Sequence, residues 1–320
     1  MMSNNLQKVL GPGLLFAGAA VGVSHLVQST RAGAGFGLAL ALIVILANVL
    51  KYPAFSFGPR YAAATGKSLI EGYRRQGTWA LWLYAALTLG TMFTVMAVVA
   101  LVTAALIKGM FATELSIITI SAIVMAFSSL LVTMGGFAWL DRVIKVFVAI
   151  LTLCTLVATV LVVGKVNFSG PWWPSAEAFD GAQVLFIAGL IGWMPSAIDV
   201  AAWHSLWTLA KGKTSGHRPT VRESMFDFNV GYIGTAVLAV CFLLLGAGVM
   251  QGHDVPTAAP KFANAVVNLY VATLGEWSGP VIGLAAFLVM LSTTVTVTDG
   301  FPRAIACLVR RLKTAEEEGE

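Results

Sequence analysis

The chain of 320 residues is 58% hydrophobic and 11% charged, with a formal net charge of +5. About a quarter of the residues in a soluble domain are charged, so this composition excludes a soluble globular protein and indicates an integral membrane protein. The basic excess does not indicate nucleic-acid binding. Its lysines and arginines lie in short segments between apolar runs, where such residues orient a membrane protein.

Eight apolar runs follow one another along the sequence, and about 20 apolar residues suffice to cross a bilayer as a helix. The runs are 10–30, 36–57, 79–107, 115–134, 143–163, 184–209, 230–250 and 281–308. We therefore expect one membrane domain, residues 1–320, with about eight transmembrane helices. Residues 261–273 are apolar on one face and too short to cross, which predicts an interfacial helix. Residues 309–320 are predicted to be a charged cytoplasmic tail.

The distribution of basic residues predicts the orientation of these helices. If the N-terminus is inside, most lysines and arginines fall in inner loops and at the two termini, and few fall on the outer side. Inner loops of membrane proteins carry such an excess of Lys and Arg. The protein is therefore predicted to be a multi-pass protein of the cell (inner) membrane with a cytoplasmic N-terminus.

The first span carries polar residues just beyond a glycine-rich patch. His25 and Gln28 share a helical face, and Ser24 precedes His25 where Gly22 is expected to break the helix. Lipid offers no hydrogen bonds, so a broken span needs protein or a water-filled cavity around its freed backbone groups. Gly22, Ser24 and His25 are therefore candidates for substrate binding, and Gln28 for lining a cavity. The alternative is that these side chains bond neighbouring spans.

The sixth span, 184–209, contains a second interruption. Met194 and Pro195 break its apolar run, and Ser196 and Asp199 follow on one face of the second half-helix. A carboxylate within the bilayer is costly and usually functional, so Ser196 and Asp199 are candidates for substrate binding. The alternative for Asp199 is an ion pair inside the bundle, with Lys51 as its partner.

The first and sixth spans share a pattern, in which an apolar half is followed by small or helix-breaking residues and a polar half. Five spans separate their starts. An odd offset reverses topology, so the two spans are expected to head inverted repeats. This predicts an all-α polytopic membrane helix bundle with discontinuous first and sixth helices. Only three spans remain for the second repeat, so this repeat is predicted to be incomplete and the protein to be truncated at its C-terminus.

The eighth span has a continuous polar face. Ser292, Thr293 and Thr296 are candidates for lining the same cavity. Asp299 and Arg303 are spaced i, i+4 near the inner boundary and are predicted to form a structural ion pair. The third span offers Thr88, Thr91 and Thr94 at three-residue spacing, a weak signal because threonine also packs helices closely.

Several short motifs are distributed along the sequence. They are Gly11-Pro12 opening the first span, Ala32-Gly33 with Gly37 after it, Ala64-Thr65-Gly66-Lys67-Ser68-Leu69 after the second span, and Met194-Pro195 in the sixth. With the Ser/Thr-rich eighth span, they resemble the natural resistance-associated macrophage protein (NRAMP) family of metal ion transporters, as a divergent member. The resemblance implies a leucine-transporter-like inverted-repeat fold and transport of a divalent transition metal, usually with protons.

Three departures from the family pattern concern the site. Where the family's first helix carries Asp-Pro-Gly-Asn, this protein has Gly22-Val23-Ser24-His25. Ser196 stands where the family has a histidine, and the third span lacks the family's acidic residues. The resemblance therefore implies neither the usual metal-binding carboxylate nor the usual route of proton coupling.

The remaining donors still suit a transition metal. Met194, His25 and Asp199 offer thioether, imidazole and carboxylate groups, whereas magnesium and calcium prefer oxygen ligands. We therefore predict a secondary transporter of divalent metal cations that binds its substrate with these three residues at the breaks of the first and sixth helices. The alternative is a transporter of another small solute on the same scaffold, with the metal site lost. No cofactor is expected, since the metal is the substrate.

An intramembrane serine hydrolase is the alternative from another class, with Ser24 as nucleophile and His25 or His204 as base. An adjacent histidine is expected to be poorly placed to activate the preceding serine, and no oxyanion-hole motif stands out. The protein is therefore not expected to be an enzyme. Its expected partners are a small ion or solute and the lipid bilayer, with no nucleic acid; the sequence does not indicate an oligomeric state.

Overall fold

The computed structural model describes residues 10–179, 181–253, 256 and 258–313. The regular secondary structure of these residues is helical, which confirms the predicted all-α class. The α-helices are α1 (Pro12–Ala20), α2 (Thr30–Phe36), α3 (Ala41–Thr65), α4 (Leu69–Gln76), α5 (Thr78–Phe111), α6 (Ile117–Val162), α7 (Gly181–Trp193), α8 (Asp199–Ser215), α9 (Val221–Val249), α10 (Ala259–Leu274) and α11 (Ser278–Lys313). A π-helical turn covers Val23–Ser29, and 3-10 turns cover Val163–Lys165 and Ala176–Phe179.

Both helices that the sequence predicts to be discontinuous are broken. α1 ends at Ala20, Gly22 leaves helical geometry with φ −146° and ψ −122°, and the π-helical turn then leads into α2. In the sixth span, α7 ends at Trp193 and α8 begins at Asp199. Pro195 lies between them and has no N–H to continue the helical ladder.

Six segments of the described residues are long and apolar enough to cross a bilayer. They are Pro12–Phe36, Ala41–Thr65, Thr78–Phe111, Ile117–Lys165, Val221–Val249 and Ser278–Lys313. The fourth and fifth predicted spans share α6, because the segment between them stays helical except at Gly136, where φ is 60° and ψ is −176°. The sixth predicted span is divided between α7 and α8. A total of about eight crossings therefore stays a prediction.

The two shorter predicted segments have different outcomes. A helix is present around 261–273 as α10, and Phe262, Ala263 and Val266 are buried on one of its faces. α10 packs against α5 and α11, and its placement at the membrane interface stays a prediction. Of the predicted charged tail, 309–313 form the end of α11, and 314–320 lie outside the described residues.

The broken first helix lies at the centre of the bundle. α1 packs against α6, α8, α9 and α11, and nearly all of its residues are buried. It approaches α9 closely because a Cβ at Gly231 would overlap the carbonyl of Gly13. α2 approaches α9 in the same way at Gly246, whose Cβ would overlap the carbonyl of Thr30. Small residues allow such backbone contact between membrane helices.

Candidate functional site

A small cavity of about 20 Å³ lies where the two broken helices meet α5 and α11. Its lining consists of Ala19, Ala20, Val23, Ser24, Val95, Val99, Trp193, Ser196, Ala197, Val200, Trp203, Thr293, Val297 and Phe301. Three of the predicted site residues, Ser24, Ser196 and Thr293, thus share one space. The other lining residues are apolar or aromatic, and a cavity of this size holds about one water molecule.

His25 is fully buried and is not among the residues that line this cavity. Its Nε2 lies 3.0 Å from the carbonyl oxygen of Thr235 on α9, and its Nδ1 lies 2.7 Å from the Oγ of Ser24. A carbonyl only accepts, so Nε2 carries the proton in this arrangement. The imidazole therefore joins the π-helical turn to α9. The expectation that His25 is poorly placed to reach Ser24 is wrong, since the two side chains are within hydrogen-bond distance.

Asp199, the first residue of α8, is 1% exposed and is held by threonines of α5. Its Oδ1 accepts a hydrogen bond of 2.7 Å from Thr88, and its Oδ2 accepts one of 3.1 Å from Thr91. The alternative partner, Lys51, instead donates to the carbonyl oxygens of Ile191 and Gly192 at the end of α7. The described partners of this buried carboxylate are therefore uncharged.

Met194 is fully buried in a different part of the bundle from the cavity lining. It belongs to an aliphatic cluster with Ile43, Val44, Leu190 and Leu243. Met194, His25 and Asp199 thus have separate sets of neighbours, and these contacts do not bring the three predicted metal ligands together. The described residues also contain no group of three or more His, Cys, Asp and Glu side chains that could hold a metal ion.

The hydroxyl groups of α11 differ in what they contact. Ser292 and Thr293 reach the carbonyl oxygens at the end of α1, whereas Thr296 bonds within its own helix, to Ser292 and Thr293. Gln28 is partly buried, and its Oε1 has no hydrogen-bond partner among the described residues. Thr293 is thus the predicted cavity-lining residue that contacts both the break and the cavity.

Asp299 and Arg303 form an ion pair, with the Arg303 Nε donating to Oδ2 at 2.9 Å and Nη2 donating to Oδ1 at 2.5 Å. The indole N–H of Trp207 on α8 also donates to Asp299, at 2.8 Å. The carboxylate is buried and the guanidinium is about one third exposed. The pair therefore links α11 to α8 at one end of the bundle.

Sequence reasoning missed the buried carboxylate of Asp227. This residue accepts hydrogen bonds from the backbone N–H groups of Gly11, at 2.9 Å, and Gly13, at 2.6 Å. His204 lies 3.9 Å from it, and both ring nitrogens of His204 lack hydrogen-bond partners among the described residues. Asp227 precedes the predicted span 230–250, so the sequence places it in a loop. An aspartate one turn before an apolar run was the only signal for it.

The family follows from comparison with known proteins. The sequence model for natural resistance-associated macrophage protein-like (Nramp) proteins matches residues 13–310. The chain belongs to this family. It is also 38% identical to an uncharacterised protein of Pasteurella multocida over 92% of this chain and 69% of that protein. It is 26% identical to the divalent metal cation transporter MntH 1 of Pseudomonas aeruginosa, over 95% of this chain and 72% of that protein.

Solved structures show the same fold. A crystal structure of a histidine-to-alanine mutant of the Eremococcus coleocola manganese transporter matches with a TM-score of 0.71 at 17% identity. The match covers 97% of this chain and 69% of that transporter. A glutamate-to-alanine mutant of the same transporter matches with a TM-score of 0.70. The protein therefore has the Nramp transporter fold and is a multi-pass membrane protein of a transporter family.

Proposed function

We propose that this Nramp protein is a secondary transporter of divalent metal cations, with its substrate path at the crossing of the two broken helices. The observation that carries the proposal is the shared cavity, which receives side chains from both breaks, Ser24 and Ser196. Broken helices place unpaired backbone groups and half-helix ends at a binding site in many transporters. Relatives named as divalent metal cation transporters match over nine tenths of this chain.

Asp199 is the carboxylate that we propose to serve the metal. A buried carboxylate whose partners are two threonines lacks the charge compensation that a cation would supply. Val200, its neighbour in sequence, lines the cavity. We propose that Asp199, Met194 and His25 converge in another conformation of the transport cycle, because a transporter populates several states. In that state Asp199 leaves Thr88 and Thr91.

Uptake of Mn²⁺ or Cd²⁺ into proteoliposomes tests both parts of this proposal. We expect wild-type protein to take up metal and Asp199→Asn to lower uptake more than about tenfold. The matched control is Glu114→Gln, an exposed carboxylate in the loop after α5, which should leave uptake unchanged. Normal uptake by folded Asp199→Asn would remove Asp199 from the site. No uptake by wild-type protein would contradict metal transport itself.

One observation favours the second candidate, transport of a small uncharged solute with hydrogen-bond acceptors. Trp203 lines the cavity, and its buried indole N–H has no hydrogen-bond partner in the described part of the protein. A buried donor requires an acceptor, which a metal cation cannot provide. Calorimetry with Mn²⁺ at millimolar concentration separates the two candidates. Metal binding that survives in Trp203→Phe supports metal transport, whereas no binding by wild-type protein supports the solute.

The orientation in the cell membrane is also a proposal, and cysteine labelling tests it. We propose a cytoplasmic N-terminus, which places the loop after α5 outside and the loop after α8 inside. A membrane-impermeant maleimide should label Glu114→Cys in intact cells and leave Thr214→Cys unlabelled, with wild-type protein measuring the background from Cys154, Cys241 and Cys307. The reverse pattern would overturn the orientation.

A further inference from the structure

Two carbonyl oxygens at the C-terminal end of α1 have lost the partners that a continuous helix would provide. The N–H of Gly22, which would face Gly18, donates to Ala20 instead, at 3.0 Å. The N–H of His25, which would face Val21, donates to Gly22, at 3.2 Å. The carbonyls of Gly18 and Val21 therefore accept from groups outside the helical ladder.

Hydroxyl groups of α11 meet these carbonyls. The Oγ1 of Thr293 lies 2.9 Å from Gly18 O, 3.1 Å from Val21 O and 3.2 Å from Val289 O. The Oγ of Ser292 lies 2.8 Å from Val289 O and 3.4 Å from Gly18 O. Each hydroxyl has one proton, so two protons are shared among five contacts with three carbonyl oxygens. The cluster of five oxygens thus has more acceptors than donors.

The surroundings of this cluster favour positive charge. Val21, Ser292 and Thr293 are buried, and a Cβ at Gly18 would meet the aliphatic side chains of Ile144 and Val148. Electrostatic interactions are strong in such a low-dielectric setting. The C-terminal end of a helix carries partial negative charge, and α1 ends at this point. Unwound carbonyls and half-helix C-termini are the groups that coordinate small cations in transporters with broken helices.

We propose that Gly18 O, Val21 O, Val289 O, Ser292 Oγ and Thr293 Oγ1 form a binding site for a small monovalent cation, Na⁺. All five ligands are neutral oxygens, whereas protein sites for divalent Mg²⁺ and Ca²⁺ usually include carboxylates. The oxygen spacings of 2.8–3.4 Å favour Na⁺ over the larger K⁺. The site uses none of Met194, His25 and Asp199, so it is separate from the proposed metal site. Bound Na⁺ would link α1 to α11.

Thermal unfolding of the purified full-length protein in detergent tests the site without any transport measurement. We expect Na⁺, exchanged for choline at constant ionic strength, to raise Tm saturably, by roughly 5 °C. K⁺ should raise Tm less at equal concentration. Thr293→Val removes one ligand oxygen while keeping the shape of the side chain. It should raise the half-saturating Na⁺ concentration by roughly tenfold or more.

The matched control is Thr298→Val on the same helix. The Thr298 hydroxyl is also buried, and its described bond is to Thr294 O within α11, so this variant should keep the wild-type response to Na⁺. Thr293→Ser, which keeps the hydroxyl, should restore the response. If Thr293→Val does not fold, Ser292→Ala serves as the second ligand variant.

The outcomes separate a cation site from hydroxyls that only satisfy the broken helix. Equal stabilisation by Na⁺, K⁺ and choline would overturn the proposal, as would an unchanged Na⁺ response in both Thr293→Val and Ser292→Ala. The result is independent of the proposed metal transport. Na⁺ stabilisation without Mn²⁺ uptake would leave the site standing and contradict only the transported substrate.

Discussion

The carboxylate of Asp227 accepts a hydrogen bond of 2.6 Å from the backbone N–H of Gly13, which ties α9 to the start of α1. A second bond, from Gly11, is 2.9 Å long. The first N–H groups of a helix have no partner in their own helix, and a negative charge is favourable at that end. Gly11 precedes α1 and makes no capping hydrogen bond of its own. A residue of a distant helix thus supplies the cap that the local sequence lacks.

Replacing Asp227 should therefore destabilise the bundle. Asp227→Asn keeps the shape of the side chain but removes its charge and one acceptor oxygen, and we expect a loss of about 1–3 kcal/mol, seen as a lower Tm in detergent. Glu114→Gln is the control, because that carboxylate is exposed. Equal Tm values for Asp227→Asn and wild-type protein would show that the cap contributes little.

Two glycines of α9 allow a matched test of helix contact. A Cβ at Gly231 would overlap the carbonyl of Gly13, whereas a Cβ at Gly234 meets nothing within 4 Å. We expect Gly231→Ala to destabilise by about 1–3 kcal/mol through overpacking. Gly234→Ala should be neutral or stabilising by up to about 1 kcal/mol, because alanine favours the helix. Thermal unfolding of both variants checks the pair, and the opposite ranking would contradict the close α1–α9 contact.

Lys51 holds the end of α7. Its Nζ donates to the carbonyl oxygens of Ile191 and Gly192, which are left over where the helix breaks. We expect Lys51→Met to cost about 1 kcal/mol and to speed amide hydrogen exchange in α7. Lys213→Met, at an exposed position of α8, is the control and should change neither. Unaltered exchange in α7 of the Lys51 variant would count against this role.

Asp141 on α6 receives two ammonium groups, from Lys145 at 2.8 Å in the same helix and from Lys211 of α8 at 2.7 Å. The two lysines repel each other once the carboxylate is removed, so we expect Asp141→Asn to destabilise more than Lys211→Met. A double-mutant cycle on Asp141 and Lys211 should give a coupling of about 0.5–3 kcal/mol. Additive Tm losses would show that the α6–α8 pair contributes nothing.

The sequence is sufficient to predict the helices of this fold and the positions of its two breaks. Apolar runs of membrane length mark the helices, and Gly22 and Pro195 mark the interruptions, because both effects are local. The continuity of α6 could not be predicted in this way. Its predicted loop is helical except at Gly136, and glycine is tolerated in membrane helices as well as in loops.

The candidate site is less predictable because its bonds join distant parts of the sequence. His25 bonds a backbone carbonyl, at Thr235, and no side-chain pattern reveals such an acceptor. Asp199 bonds Thr88 and Thr91, which lie more than 100 residues away, although the three-residue spacing of the threonines was visible. Spacing places residues on one helical face, but the choice of the facing helix depends on packing of the whole bundle.

α1 is held at both ends by different helices, by Asp227 of α9 at its start and by Thr293 of α11 at its end. Its nine residues span only about 13 Å, so it is too short to bend appreciably. A rigid rod fixed at two points transmits displacement: a shift of either anchor must move the other or break one of the bonds. Whatever occupies the break at Gly22 is therefore mechanically connected to the opposite end of the helix, where Gly11 and Gly13 meet Asp227.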